Sequence, residues 1–121
     1  MDKKTVLIVD DDQDILNLLK ESLEDLSLLV LAYSSSVKAL KEVDFDKIDC
    51  IISDILMPEL DGVQFMKKID EKNLNIPIFF ITGYSEYPRE VLNAFRPKAI
   101  VFKPFDVEEL AILVKNHIMR D

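Results

Sequence analysis

Five short apolar runs divide the chain, at residues 6–9, 28–32, 50–52, 76–81 and 99–102. They are rich in Ile, Val and Phe and mostly apolar throughout rather than alternating, the pattern of strands covered on both faces of a parallel sheet. Between them the apolar residues recur at helical spacing. Ile15, Leu16, Leu19, Leu23 and Leu26 share one stripe and predict a helix over 14–26. Shorter helices are predicted over 37–43, with Ser36 as N-cap, over 63–69, and over 87–95, with Pro88 in its first turn. A last helix over 107–119 carries the stripe Val107, Leu110, Ala111, Val114 and Ile118, with Asp106 placed to cap it. The order is strand then helix, five times. With right-handed crossovers this is an α/β fold, a doubly wound (βα)5 open sheet with helices on both faces.

The polar residues that end the runs narrow the chemistry. The first run ends in Asp10-Asp11-Asp12, the third in Ser53-Asp54, the fourth in Thr82 and the fifth in Lys103-Pro104. Parallel strands bring these ends to one edge, where open α/β sheets bind ligands. Clustered carboxylates repel, each pair about 4 Å apart costing about 4 kcal/mol at an effective dielectric of 20. Protons or a cation must compensate. Oxygen-only ligands favour Mg²⁺ or Mn²⁺ over zinc. A divalent ion, a hydroxyl and a lysine around a carboxylate form a site suited to phosphoryl transfer, in which the carboxylate can itself be the nucleophile.

Composition excludes several other classes. Acidic residues number 23 and basic residues 15 of 121, for a net charge of −8. Direct nucleic-acid binding is therefore not expected. No apolar run approaches the twenty residues of a membrane span, and no secretory leader is read at the start, so a cytoplasmic location is expected. Cys50 and His117 are each the sole residue of their type, which removes disulfides and zinc clusters. Cys50 is read as core and His117 as a solvated helix residue. The two glycines, Gly62 and Gly83, make no phosphate-binding loop. Asp61-Gly62 is read as a turn.

The segments Val6-Leu7-Ile8-Val9-Asp10-Asp11-Asp12, Ser53-Asp54-Ile55-Leu56-Met57-Pro58-Glu59-Leu60-Asp61-Gly62, Ile81-Thr82 and Phe102-Lys103-Pro104-Phe105 stand in this order. Together they resemble the receiver domain of two-component response regulators, with the fold of the chemotaxis response regulator, and the resemblance covers residues 1–121 as one domain. It implies strand order 2-1-3-4-5, the flavodoxin-like arrangement. It implies that Asp54 accepts a phosphoryl group from a phosphohistidine on a sensor histidine kinase or phosphotransfer protein. Asp10, Asp11, Asp54 and the backbone carbonyl of Leu56 would hold Mg²⁺, Asp11 directly and Asp10 mainly through water. Thr82 would move to the phosphate, Lys103 would pair with it, and the Lys103-Pro104 peptide would be cis.

The resemblance also has departures. The switch aromatic of the family is Ile100 here, and Phe102 and Tyr84 are poorly placed to replace it. Leu56 and Tyr84 occupy positions that flank the path of attacking water, and their bulk implies slow autodephosphorylation. On the last helix, Ile112, Leu113 and Met119 lie off the core stripe and are candidates for an interface, including a phosphorylation-dependent homodimer. The resemblance implies a switch that catalyses its own phosphotransfer, not an enzyme with an independent small-molecule substrate. The alternative is a degenerate receiver acting only as a protein-interaction module. An aspartate-nucleophile phosphohydrolase of the haloacid-dehalogenase type would need a second aspartate where Leu56 stands. No output domain fits within this length.

Overall fold

The computed structural model describes residues 3–83 and 87–119. Strands β1 (Thr5–Val9), β2 (Leu29–Tyr33), β3 (Cys50–Asp54), β4 (Ile78–Thr82) and β5 (Ala99–Phe102) alternate with helices α1 (Gln13–Asp25), α2 (Ser36–Glu42), α3 (Gly62–Asp70), α4 (Arg89–Asn93) and α5 (Val107–Met119). The strands form one parallel sheet in the order β2-β1-β3-β4-β5. This is the expected (βα)5 arrangement.

Each face of the sheet buries its own core. On one face Leu7, Val9, Ile51 and Phe80 pack with Phe65, Met66, Ile69 and Leu92 from α3 and α4. On the other, Val6, Ile8, Ile52, Phe79 and Ile81 pack with Leu16, Leu19 and Leu23 of α1 and Leu110, Ala111 and Val114 of α5. Consecutive strand residues thus enter opposite cores, which is why β1, β3 and β4 are apolar without alternation. Lys115 of α5 donates from Nζ to the carbonyl of Leu26, which closes the C-terminal end of α1.

Several expectations shift. Edge strand β2 is not covered on both faces: Leu29 and Leu31 are 50% and 40% exposed. Ser35, not Ser36, caps α2, accepting from the Lys38 amide at 3.2 Å. Ser36 is instead buried, its hydroxyl donating to the Leu60 carbonyl. Helix α4 spans less than predicted, with Pro88 at its N-cap and no side-chain cap bond. A short 3₁₀ turn, Phe45–Lys47, was not predicted; Phe45 anchors it in the core. His117 is half-buried rather than solvated, because its ring meets the edge of Phe79 at 5.3 Å between centroids. Cys50 is buried as expected, and burial pushes its thiol up to about 12, so it is an inert core group.

Candidate functional site

The cleft is built where strands β1, β3 and β5 run out of apolar residues. β1 delivers Asp10 immediately after Val9, and the following turn delivers Asp11. Asp12 then caps α1, accepting from the amides of Asp14 and Ile15, as acids do at helix N-termini. β3 ends on Asp54, and β5 is followed by Lys103 and a cis Lys103-Pro104 peptide, as the resemblance implies. Carboxylate oxygens of Asp10, Asp11 and Asp54 lie within 4.8 Å of one another. Asp10 and Asp54 are buried, whereas Asp11 is exposed.

Lys103 holds the two buried carboxylates. Its ammonium donates to Asp54 Oδ2 at 2.9 Å and stands 3.4 Å from Asp10 Oδ2. Asp10 Oδ1 accepts from the Asp12 amide at 2.9 Å, while among the described residues its Oδ2 accepts no hydrogen bond. Burial, reinforced by the Asp54 charge, pushes Asp10 up to about 6 against the pull of the Asp12 amide and Lys103. Burial lowers the Lys103 pKa, but the hydrogen bond to Asp54 and the charges of Asp10 and Asp54 outweigh it and raise the pKa.

Three carboxylates against one ammonium leave two negative charges uncompensated, the charge of one divalent cation. The donors are hard oxygens, and one buried oxygen, Asp10 Oδ2, has only the Lys103 ammonium at 3.4 Å beside it among the described residues. Both properties fit Mg²⁺ or Mn²⁺. Leu56 lines the same shallow cleft of about 550 Å³ with Asp11, Asp12, Asp54, Gly83 and Lys103. Thr82 is buried at the end of β4, next to Gly83 and in register with Phe102. Asp10, Asp11, Asp54, Leu56 and Lys103 therefore converge, with Thr82 at their margin. Ile112, Leu113 and Met119 lie elsewhere, exposed on α5. Tyr84 is outside the described residues.

The turn reading of Asp61-Gly62 missed how the segment after Asp54 is held. Gly62 lets this segment fold back on β3: a Cβ there would sit 2.3 Å from the Asp54 carbonyl oxygen, and its amide donates to the Ile55 carbonyl at 2.8 Å. Asp61 caps α3 in a capping box with Gln64. Its other oxygen accepts from the Tyr87 hydroxyl at 2.6 Å. The Asp-x-x-Gln spacing could have flagged the cap. Nothing local in the sequence signals the Tyr87 contact, which spans 26 residues.

The family profile described as the response regulator receiver domain matches residues 6–115. The chain belongs to this family. It is 33% identical over 118 residues to the alkaline phosphatase synthesis transcriptional regulatory protein PhoP of Bacillus subtilis (strain 168), across 97% of this chain and 49% of PhoP. It is 32% identical over 120 residues to the DNA-binding transcriptional regulator NtrC of Proteus hauseri, across 98% of this chain and 25% of NtrC. The chain thus spans half or less of these relatives. Its fold matches a CheY-like response regulator receiver domain protein from Methanospirillum hungatei JF-1 with a TM-score of 0.85 at 24% identity, over 97% of this chain and 94% of that one. Receiver domains are signalling switches of two-component systems, not metabolic enzymes. Among the described residues no helix is long and apolar enough to cross a membrane.

Proposed function

We propose that this receiver domain is a phosphorylation-activated switch in which Asp54 takes a phosphoryl group from a phosphohistidine of a sensor histidine kinase or phosphotransfer protein. The observation that carries the reading is the buried Asp54 carboxylate hydrogen-bonded to Lys103 inside an acidic trio. An Asp54 carboxylate oxygen attacks phosphorus, the phosphorus–nitrogen bond breaks, and the electron pair leaves with the imidazole nitrogen. The product is an acyl phosphate on Asp54. Lys103 stays beside Asp54 and offers its ammonium to the new phosphoryl oxygens. The carboxylates of Asp10, Asp11 and Asp54 and the Leu56 carbonyl would hold Mg²⁺, or Mn²⁺, with Asp11 binding directly and Asp10 mainly through water, as the family resemblance implies. When bound, the ion neutralises charge on the transferring group.

Thr82, at the buried end of β4, is our candidate, as the family resemblance implies, for the hydroxyl that follows the phosphate and shifts a pre-existing two-state equilibrium. The exposed Ile112, Leu113 and Met119 are our candidates for the surface that then engages a partner or a second copy in a phosphorylation-dependent dimer. We place the protein in the cytoplasm. One observation favours the alternative of a module that never carries phosphate: Ile100, partly buried against the same core cluster as Tyr87, Val91 and Phe95, is aliphatic where the resemblance implies a switch aromatic.

Acetyl phosphate with Mg²⁺ separates the two readings. The switch gains one adduct of about 80 Da by mass spectrometry, and Asp54→Ala gains none. Absence of the adduct on the wild-type chain, or its persistence in Asp54→Ala, overturns the proposal.

A further inference from the structure

The second outer strand of the sheet is β2, at the edge opposite β5. Its inner side is fully used: the Leu29 amide donates to the Lys4 carbonyl at 2.9 Å, and the Tyr33 carbonyl accepts from the Asp10 amide at 3.1 Å. Backbone direction alternates along a strand, so the amide and carbonyl groups of Leu31 also face β1, while those of Val30 and Ala32 face outward. Outer strands usually carry a protective lysine, a proline or a bulge. β2 has none of these. Leu29 and Leu31 project from one face, 50% and 40% exposed. Residues 26–37 carry no charge, in a chain where 31% of residues are charged.

These observations select an occupant. A chain of net charge −8 repels its own copy over most of its surface. Apart from the Glu42 carboxylate that accepts from the Tyr33 hydroxyl at 3.2 Å, at the C-terminal end of the strand, this edge is a place where two copies can meet with little of that cost. The strand is also self-complementary. In an antiparallel pairing about a two-fold axis at Leu31, the outward groups of Val30 oppose those of Ala32 of the partner subunit. Each such pair exchanges two main-chain hydrogen bonds. The two Leu31 side chains then meet as a non-hydrogen-bonded pair, the closer of the two spacings, and Leu29 lies opposite Tyr33 of the partner subunit.

We propose that β2 is a self-association edge, joining two copies of this chain into one continuous ten-stranded sheet by antiparallel β2–β2 pairing. A seam of five residues is small, so the dimer is weak and its assembly concentration-dependent. The edge lies across the sheet from β5, and its assembly does not need phosphate on Asp54.

Sedimentation equilibrium on the 121-residue chain, from about 10 µM to about 1 mM, tests this. The wild type shifts from monomer to dimer, Asp54→Ala does the same, and Leu31→Lys, which sets two ammonium groups face to face, weakens dimerisation about tenfold or more. Amide hydrogen exchange on the wild type gives a readout independent of the variant. The Val30 and Ala32 amides gain protection as concentration rises, while the Leu31 amide is protected throughout. A chain that stays monomeric to about 1 mM, or an association that Leu31→Lys leaves unchanged, overturns the proposal and assigns the edge to some other segment or partner. Exchange at Val30 and Ala32 that does not depend on concentration overturns it equally.

Discussion

Val9 and Asp10 are consecutive, and both are fully buried. Val9 joins Leu7, Ile51 and Phe80 in an apolar core cluster. Among the described residues Asp10 faces Asp54 and the Lys103 ammonium, with one oxygen that accepts no hydrogen bond. The same strands therefore contain two regions in sequence. The body of the sheet is stabilised by the removal of apolar surface from water. Its C-terminal rim retains like charges that an apolar body must hold together. The candidate site thus lies where like charges oppose folding, a division common at functional sites.

The largest effect that tests this division is in the body. Phe79 is fully buried between β4 and the helices α1 and α5. Phe79→Ala is expected to cost about 3–5 kcal/mol, a transfer loss plus a cavity. Against a total of about 5–15 kcal/mol for a domain, this lowers the urea midpoint sharply. A cost below about 1 kcal/mol would mean that the apolar body does not carry the rim.

The rim should respond with the opposite sign. Asp10 titrates at about 6 in the folded chain and at 3.8 when unperturbed. The folded state thus holds its proton more tightly than the unfolded state. This contribution to stability is complete below about pH 4, declines as pH rises through the window from 3.8 to about 6, and is absent above it. In EDTA at pH 7, Asp10→Asn should therefore be more stable than the wild type by up to about 3 kcal/mol. The gap should close as pH falls below about 4. Urea unfolding of both proteins across this range measures it, and a gap that does not vary with pH would refute the assignment. The same variant should bind Mg²⁺ more weakly, so stability and ion binding move apart.

The two regions were not equally legible in the sequence. The body was, because each strand enters two cores and each helix carries a stripe such as Leu16, Leu19 and Leu23. Elements shifted only at their ends: β4 begins at Ile78 and not at Ile76, since Ile76 precedes Pro77, which has no amide to donate to the ladder. The outer strand was misread, because an apolar run alone does not say whether a helix covers it, and Leu29 and Leu31 are left open. At the rim, the strand ends located Asp10, Asp54 and Lys103 in advance. The ties on the segment after Asp54 are not legible in the sequence. Ser36 reaches Leu60 across 24 residues and Tyr87 reaches Asp61 across 26, and no local pattern encodes such pairings.

The smallest expected effect lies at the boundary of the two regions. Leu56 follows the buried pair Asp54 and Ile55 but is itself 44% exposed, placing an apolar side chain on the lip of an otherwise polar cleft. Hydrolysis of an acyl phosphate on Asp54 requires a water molecule held in line behind phosphorus. An isobutyl group offers that water no hydrogen bond and takes up space beside it. Asparagine supplies an amide at similar volume, so Leu56→Asn should hasten loss of the phosphoryl group by about three- to tenfold, roughly 1 kcal/mol in the barrier. Because Leu56 is exposed, the change should leave unfolding within about 0.5 kcal/mol of the wild type. The decay of the phosphorylated chain after removal of the donor measures the first quantity, and urea unfolding the second. An unchanged decay rate would show that the lip does not govern access of water, and a large loss of stability would place Leu56 with the body of the sheet instead.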